Sequence, residues 1–367
     1  MGVTLEAGQR RGRLRVRRVL QIAISLAVVA AVFVYALPKF ADYSEVWAAI
    51  TAMTPIELLT LSLAALWNLI SYWPVMVNSL PGLNYWQAMK VNLTSTAIAN
   101  TLPGGGALGI GVTSGMYTTY GFTGAQIGSA IVVSGVWNNF VKLGMPVIAL
   151  ALLAIAGQAG GALVTAALIG VAVLVGAVFL LGLVLRSHNG AEKVGRWLDA
   201  VWGRLARVLR RPPRGSITDS LVRFRTETVG LLHSRWPALT VATLVSHFSL
   251  FAVLLISLRH VGVSNDEVSW QEALAAFCFV RLLTALPITP GGLGVVELGA
   301  TAALVAAGGD RGQVVAAVLV YRAATYLPPI PLGLAAYAFW RKGAKGRAER
   351  VAARLGKPTS TADNPRP

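Results

Sequence analysis

Long apolar runs, separated by short polar segments, make up most of the 367-residue chain. A helix needs about 20 consecutive apolar residues to cross a bilayer, and several runs reach that length. We predict full membrane spans near 19–37, 56–80, 126–150, 162–185, 238–260 and 314–340. No small-residue cleavage site follows the first run, so it is predicted to be a span and not a signal peptide. The pattern predicts an all-α, polytopic membrane protein with six full spans.

The composition supports this interpretation and excludes several classes of protein. Hydrophobic residues make up 55% of the chain and charged residues only 13%, which excludes an intrinsically disordered protein. The single cysteine, Cys278, excludes a disulfide scaffold, and the 4 scattered histidines form no metal-ligand pattern. We therefore expect no metal and no cofactor.

The net charge of +17 comes mainly from three basic segments that flank the apolar runs. These segments are residues 1–18, the loop 186–235 and the tail 341–367. Basic loops stay on the cytoplasmic side of a membrane, so both termini and this loop are predicted to be cytoplasmic. Residues 19–340 then form a single transmembrane domain. Because the basic residues surround membrane spans, we expect no nucleic-acid partner.

The loop 186–235 contains the sequence VGRWLDAVWGRLARVLR, which predicts a basic amphipathic helix. Such helices are typical of segments that lie on anionic lipid. The alternative is a positively charged loop that only fixes the topology of the neighbouring spans.

Two further apolar segments, 87–120 and 271–310, are interrupted at mid-length by Pro and Gly residues. The interruptions contain Pro103, Gly104, Gly105, Gly106 and Gly109 in the first segment, and Pro287, Pro290, Gly291, Gly292 and Gly294 in the second. A broken helix leaves backbone groups unpaired, which is tolerated only where protein or a water-filled cavity covers them. Each segment is therefore predicted to be a re-entrant helical hairpin, and two kinked spans are the alternative.

The turns of these hairpins are also candidate anion sites. A half-helix that begins after Gly109 or after Gly294 has free amides and a positive dipole end, both of which attract phosphate. The alternative is that the glycines only allow helices to pack closely.

The two broken segments are copies of one another. Leu102-Pro103 matches Leu286-Pro287 at an offset of 184 residues, and the preceding spans share that offset. The duplicated unit of span, hairpin and span covers about 56–156 and 240–340. The predicted topology gives the copies opposite orientations, and inverted repeats with broken helices are typical of transporters.

Only a few strongly polar side chains are predicted to lie at membrane depth. They are Arg281, Glu297, Arg322 and Lys142, with Asn100, Asn138 and Asn139. A charge near the bilayer centre costs about 2.5–3.5 kcal/mol, so such residues usually face a cavity or a partner. We predict that Arg281, Glu297 and Arg322 form one substrate-binding network whose net positive charge favours an anionic ligand. Lys142 and Asn100 are further candidate binding residues.

Each of these residues also has a purely structural interpretation. Glu297 would stabilise a helix N-terminus, and Arg322 would be its partner. Lys142 would extend to the lipid interface, and the asparagines would hydrogen-bond between helices.

Common catalytic signatures are absent from the sequence. The run GGGALG at 104–109 spells G-x-G-x-x-G, but it lies in a membrane segment and lacks the acidic residue that a dinucleotide site needs. The chain contains no P-loop, HExxH or G-x-S-x-G motif. Its longest polar stretch is too short for a separate catalytic domain. We therefore expect that the protein is not an enzyme.

The motif LPITPGGLGVVELG at 286–299, followed by Tyr321-Arg322, resembles the lysylphosphatidylglycerol synthase transmembrane region family. The resemblance covers about 20–340. The first break, LPGGGALG, occupies the place of the family's other Pro-Gly motif, but the charges that often follow it in relatives are missing here. The resemblance implies a flippase-like protein that moves a lipid or lipid-linked substrate between leaflets. No soluble synthase domain follows, so lysyl transfer is not expected.

Three functions remain open from the sequence. The first is a flippase for an anionic phospholipid or a lipid-linked cell-envelope precursor in a bacterial plasma membrane. The second is an accessory protein that binds lipid or an envelope glycosyltransferase without transporting. The third is a membrane transferase with Glu297 as general base. The expected partners are membrane lipid with an anionic head group and envelope-biosynthesis enzymes.

The charge distribution makes a topological prediction. Single cysteines replacing Gly12, Ala200 and Arg350 in a Cys278→Ser background are expected to resist a membrane-impermeant maleimide in intact cells. The same cysteines should react after permeabilisation, because the basic segments are predicted to be cytoplasmic. Strong labelling of Ala200→Cys in intact cells would contradict the topology and the inverted repeat together.

Overall fold

The computed structural model describes residues 43–102, 104–157, 161–208, 216–284 and 289–354, and within these ranges it contains helices and no strand. The all-α prediction is therefore confirmed. The α-helices are α1 (Tyr43–Thr51), α2 (Pro55–Ser71), α3 (Trp73–Ser79), α4 (Tyr85–Thr101), α5 (Gly105–Thr119), α6 (Gly124–Ile155), α7 (Gly161–Arg186), α8 (His188–Val208), α9 (Ile217–His260), α10 (Trp270–Leu283), α11 (Val295–Ala306), α12 (Arg311–Tyr326) and α13 (Pro329–Arg354).

Long apolar helices account for the predicted spans that fall on described residues. Among the described residues, five stretches are long and apolar enough to cross a membrane: Pro55–Ser79, Gly124–Ile155, Leu168–Arg186, Ser234–His260 and Arg311–Gly343. They coincide with the last five predicted spans, so the polytopic helical architecture is confirmed. The predicted span 19–37 and the basic segment 1–18 lie outside the described residues.

Two boundaries differ from the sequence prediction. Helix α9 begins at Ile217, well before the predicted span, and continues through Pro237. The loop 186–235 is therefore largely helical, because α8 and the first half of α9 occupy it. Helix α13 continues to Arg354, so the first half of the predicted tail prolongs the last span.

The first broken segment is a helical hairpin made of α4 and α5. A β-carbon placed on Gly105 would lie 2.4 Å from the Ile98 carbonyl oxygen, and one on Gly109 would lie 3.0 Å from that of Ser95. These contacts pair later residues of α5 with earlier residues of α4, so the two helices run antiparallel. Gly104 supplies the turn with a φ of 68°. Pro103 lies outside the described residues.

The second broken segment is also a hairpin, formed by α10 and α11. Its turn contains a 3-10 helix at Pro290–Gly292, and Gly291, Gly292 and Gly294 all have positive φ. At the open end, a β-carbon on Gly308 would lie 3.0 Å from the Glu267 carbonyl oxygen, so the chain returns to where it entered. Residues 285–288, with Pro287, lie outside the described residues.

The first helices of the two predicted repeats run in opposite directions. Thr60 on α2 lies 3.4 Å from the His260 ring, and the Asn68 side-chain amide donates to the Ser249 hydroxyl at 3.0 Å. As residue numbers increase along α2, the numbers of their partners on α9 decrease, so the two helices run antiparallel. Inverted copies require this arrangement, although the repeat boundaries 56–156 and 240–340 stay a prediction.

Contacts within the chain divide it into two compact units. Of the described residues, those within 43–70, 89–116 and 248–354 belong to the first unit, and those within 71–88 and 117–247 belong to the second. The hairpin tips and α10 to α13 belong to the first unit. The second unit has its own apolar core, formed by Val75, Val133, Val184, Ala191, Val194, Leu239 and Ala242.

Replacement of Gly333 by Ala is expected to destabilise the first unit. Gly333 on α13 packs against α4, and a β-carbon there would lie 2.2 Å from the Leu93 carbonyl oxygen. The helices would have to separate, at a cost of about 1–3 kcal/mol. Gly111→Ala is the matched control, because a β-carbon on this α5 glycine meets nothing within 4 Å. Thermal unfolding of both variants in detergent tests this, and equal midpoints would contradict the close packing.

Candidate functional site

Glu297 lies at the start of α11 and reaches back to the end of the turn. Its Oε2 atom accepts a hydrogen bond of 2.7 Å from the backbone N–H of Gly294, the residue that caps the helix. This side-chain contact satisfies an amide that the helix itself leaves unpaired. The Glu297 side chain is only 1% exposed, so the carboxylate needs a positively charged neighbour.

Arg322 on α12 is that neighbour, and it also holds the turn. Its Nε donates to Glu297 Oε1 at 2.8 Å, and its Nη2 donates to the Gly291 carbonyl oxygen at 3.0 Å. Its guanidinium carbon lies 4.7 Å from the centre of the Tyr326 ring, a cation–π contact. One side chain therefore fixes the second hairpin turn, α11 and α12 relative to one another.

Tyr326 and Asn100 connect this arrangement to the first hairpin. The Tyr326 hydroxyl donates to the Asn100 carbonyl oxygen, and the Asn100 side-chain amide donates to the Tyr326 carbonyl oxygen at 3.2 Å. A β-carbon on Gly291 would lie 3.0 Å from Asn100 Oδ1. The two hairpin tips are thus neighbours at Asn100 and Gly291. The expected proximity of Pro103 and Pro287 stays a prediction, since neither proline is described.

Arg281 lies on α10 and differs from Arg322 in having no anionic partner within the part of the chain that the structure describes. Its guanidinium is near enough to Arg322 and Tyr321 to interact with them electrostatically. Its Nε atom is buried and has no hydrogen-bond partner among the described residues, and the same is true of the Thr301 hydroxyl on α11. Since Glu297 is already paired, the group of Arg281, Glu297 and Arg322 retains one net positive charge.

Two observations favour the structural interpretation of the glycine turns over the predicted anion sites. Gly109 lies inside α5, which begins at Gly105, so the predicted half-helix start after Gly109 is wrong. The close approach of α4 to α5 explains why glycine is needed at both positions. At the second turn, the Glu297 carboxylate occupies the cap amide of Gly294 that was predicted to bind phosphate.

The remaining polar candidates lie elsewhere. Lys142 belongs to α6 in the second unit, outside the group around Glu297. Asn138 lies in that unit too, with its Oδ1 atom 2.8 Å from the His247 ring, and Asn139 donates to the Gly135 carbonyl oxygen at 3.0 Å. Asn138 therefore makes a hydrogen bond between helices α6 and α9, as the alternative interpretation expected, whereas Asn139 bonds within its own helix.

An apolar cavity lies beside the same helices in the first unit. Its volume is about 250 Å³, and α2 forms one wall while the end of α12 and the start of α13 form the other. The lining residues are Leu58, Leu61, Ser62, Ala65, Leu66, Asn68, Leu69, Ala324, Thr325, Pro328, Pro329 and Leu332. Ala324 and Thr325 place this cavity within one helical turn of Tyr326 along the chain.

Comparison with known proteins assigns the chain to a family. Residues 20–333 match the family described as the lysylphosphatidylglycerol synthase TM region. The chain belongs to this family. The comparison with curated proteins found no significant match.

As a lysylphosphatidylglycerol synthase TM region protein, the chain contains its whole candidate site inside the matched range. Asn100, Arg281, Glu297, Arg322 and Tyr326 all lie between the ends of the match. The match concerns the transmembrane region of these synthases. Tyr326 was missed by sequence reasoning, although its position four residues after Arg322 places both side chains on one helix face.

Disruption of the buried ion pair is expected to depend on whether one charge or both are removed. Glu297→Gln leaves Arg322 buried without an anion and should destabilise the protein by about 3–5 kcal/mol. The double variant Glu297→Gln/Arg322→Gln removes both charges and should be more stable than that single variant. Thermal unfolding in detergent measures the difference, and a double variant with additive losses would contradict the pairing.

Proposed function

We propose that this protein moves an anionic phospholipid or a lipid-linked envelope precursor between the leaflets of a bacterial plasma membrane. The observation that carries the proposal is Arg281, whose buried Nε atom has no hydrogen-bond partner and whose side chain has no anionic partner among the described residues. A charge at membrane depth is costly unless a ligand or a cavity compensates it. A phosphate group would supply the missing negative charge.

Arg322 and Arg281 have different proposed roles, because their contacts differ. Arg322 is engaged by Glu297, Gly291 and the Tyr326 ring, so it positions the second turn. Arg281 has donors available, and the planar guanidinium binds phosphate through two parallel hydrogen bonds. Arg281 is therefore the proposed head-group contact, and Arg322 with Glu297 is the support beside it.

The apolar cavity supplies a place for the other end of such a substrate. Its wall of leucines, alanine and prolines on α2, α12 and α13 suits a hydrocarbon chain. Because α12 carries both Arg322 and part of this wall, an amphiphile can contact the charged group and the cavity from one helix. The antiparallel hairpins and opposed first helices are the elements from which transporters of this kind are built.

The orientation belongs to the same proposal. The termini and α8 carry most of the basic charge, so they are placed on the cytoplasmic side. A transferase using Glu297 is disfavoured, since both of its carboxylate oxygens already accept hydrogen bonds within the protein.

A leaflet-resolved assay tests the proposal. Purified protein is reconstituted into vesicles with a trace of fluorescent phosphatidylglycerol, and external dithionite bleaches only the probe in the outer leaflet. Vesicles with protein are expected to bleach beyond the outer-leaflet share, and the same assay with fluorescent phosphatidylcholine should show slower loss. Arg281→Gln should slow the transfer roughly tenfold or more, because a charge-assisted hydrogen bond is removed.

Arg311→Gln is the matched control, because it removes the same charge from an exposed position at the start of α12. This control should transfer lipid at the original rate. Transfer by Arg281→Gln at that rate would overturn the assignment of Arg281. Binding of phosphatidylglycerol without any transfer would instead favour the accessory role.

A further inference from the structure

Helix α8 lies where a membrane span ends. The span Leu168–Arg186 forms most of α7, and α8 begins at His188 with only one residue between them. A helix that follows a span this closely starts at the bilayer surface. The burial of residues 188–203 shows which sides of α8 are covered by protein.

One side of α8 is fixed on the second unit. Ala191 and Val194 are buried in the apolar core of that unit, and Leu198 packs against it. Gly195 allows the close approach, since a β-carbon there would lie 2.5 Å from Thr218 Cα. The rotation of α8 about its own axis is therefore set by packing.

A cap to the next helix fixes α8 further. The Asp199 carboxylate accepts hydrogen bonds from the backbone N–H groups of Ile217 at 2.8 Å and Thr218 at 3.2 Å, at the start of α9. The bond from the Ile217 amide is the main cause that holds the pKa of Asp199 below its usual value. The cap therefore keeps its charge at neutral pH.

The apolar side chains that this docking leaves uncovered form a narrow edge. Trp197 is 56% exposed and Val201 is 42% exposed, and their spacing of four residues places them together on the helix. Lys193 and Arg196 are exposed beside them, and Arg196 also forms an exposed ion pair of 3.3 Å with Glu192 one turn earlier. Tryptophan with neighbouring basic residues is the combination found where a helix lies in the head-group layer of a membrane.

We propose that the edge of Trp197 and Val201 inserts among the head groups of anionic lipid at the surface where α7 ends. The bilayer would cover the two apolar side chains, and Lys193 and Arg196 would pair with lipid phosphates. This surface lies in the second unit and is independent of Arg281. It acts as a second lipid contact, one that recognises the charge of the membrane and not a transported molecule.

A site-specific fluorophore tests this surface. The protein carries Cys278→Ser and Val201→Cys, is labelled with a polarity-sensitive dye, and is placed in nanodiscs of phosphatidylglycerol or of phosphatidylcholine. The dye at 201 is expected to shift to the blue and to be quenched by brominated lipid in phosphatidylglycerol discs. A matched label at Asn189→Cys, which is exposed and lies about 120° around the helix axis from position 201, should stay in water.

Charge removal separates anionic recognition from simple apolar contact. The preference for phosphatidylglycerol is the ratio of quenching at 201 in the two kinds of disc. Each of the additional substitutions Lys193→Gln and Arg196→Gln should reduce this ratio, by ~5-fold at most. A dye at 201 that stays as aqueous as the dye at 189 would overturn the proposal. Equal quenching in the two lipids would overturn the anionic part. Neither readout depends on lipid transfer, so failure here leaves the proposed function unaffected.

Discussion

The buried pair of Glu297 and Arg322 is the interaction on which the second hairpin depends. A carboxylate that is 1% exposed is costly to bury without a partner, and a largely buried arginine carries a similar penalty. Each side chain also bonds to backbone, at Gly294 and at Gly291 respectively. The pair therefore removes two charges from lipid and satisfies two polar groups of a turn that has no regular secondary structure to do so.

This constraint explains why a break in the helix is tolerated there. Gly291, Gly292 and Gly294 adopt positive φ, which the turn requires and which other residues rarely adopt. Such a turn exposes amides and carbonyls that lipid cannot satisfy. The Arg322 guanidinium and the Glu297 carboxylate hydrogen-bond to two of these backbone groups in place of water. The glycines therefore permit the turn, and the ion pair satisfies its polar groups. The first turn lacks such charges and relies on close contact of α4 with α5.

The large features of the fold could be predicted from the sequence, because they follow from one-dimensional patterns. Apolar length located the described spans, and Pro-Gly clusters located both breaks. The pairing of side chains could not be derived in this way, since it depends on which helix faces meet. From the sequence, the pair of Glu297 and Arg322 was the structural alternative to one network of three charges, and within the described residues it is Arg322 that contacts Glu297. Sequence reasoning also placed a half-helix start at Gly109, because glycines that pack and glycines that turn look alike in a sequence.

The contacts that hold the second turn differ in strength from those that hold the first hairpin. Within the second tip, breaking the buried ion pair costs about 3–5 kcal/mol. Between the first tip and α12, Asn100 and Tyr326 exchange two neutral hydrogen bonds, each with a net contribution of about 0.5–1.5 kcal/mol. The weaker connection therefore lies between the first hairpin and α12, and the stronger one lies between the second turn and α12.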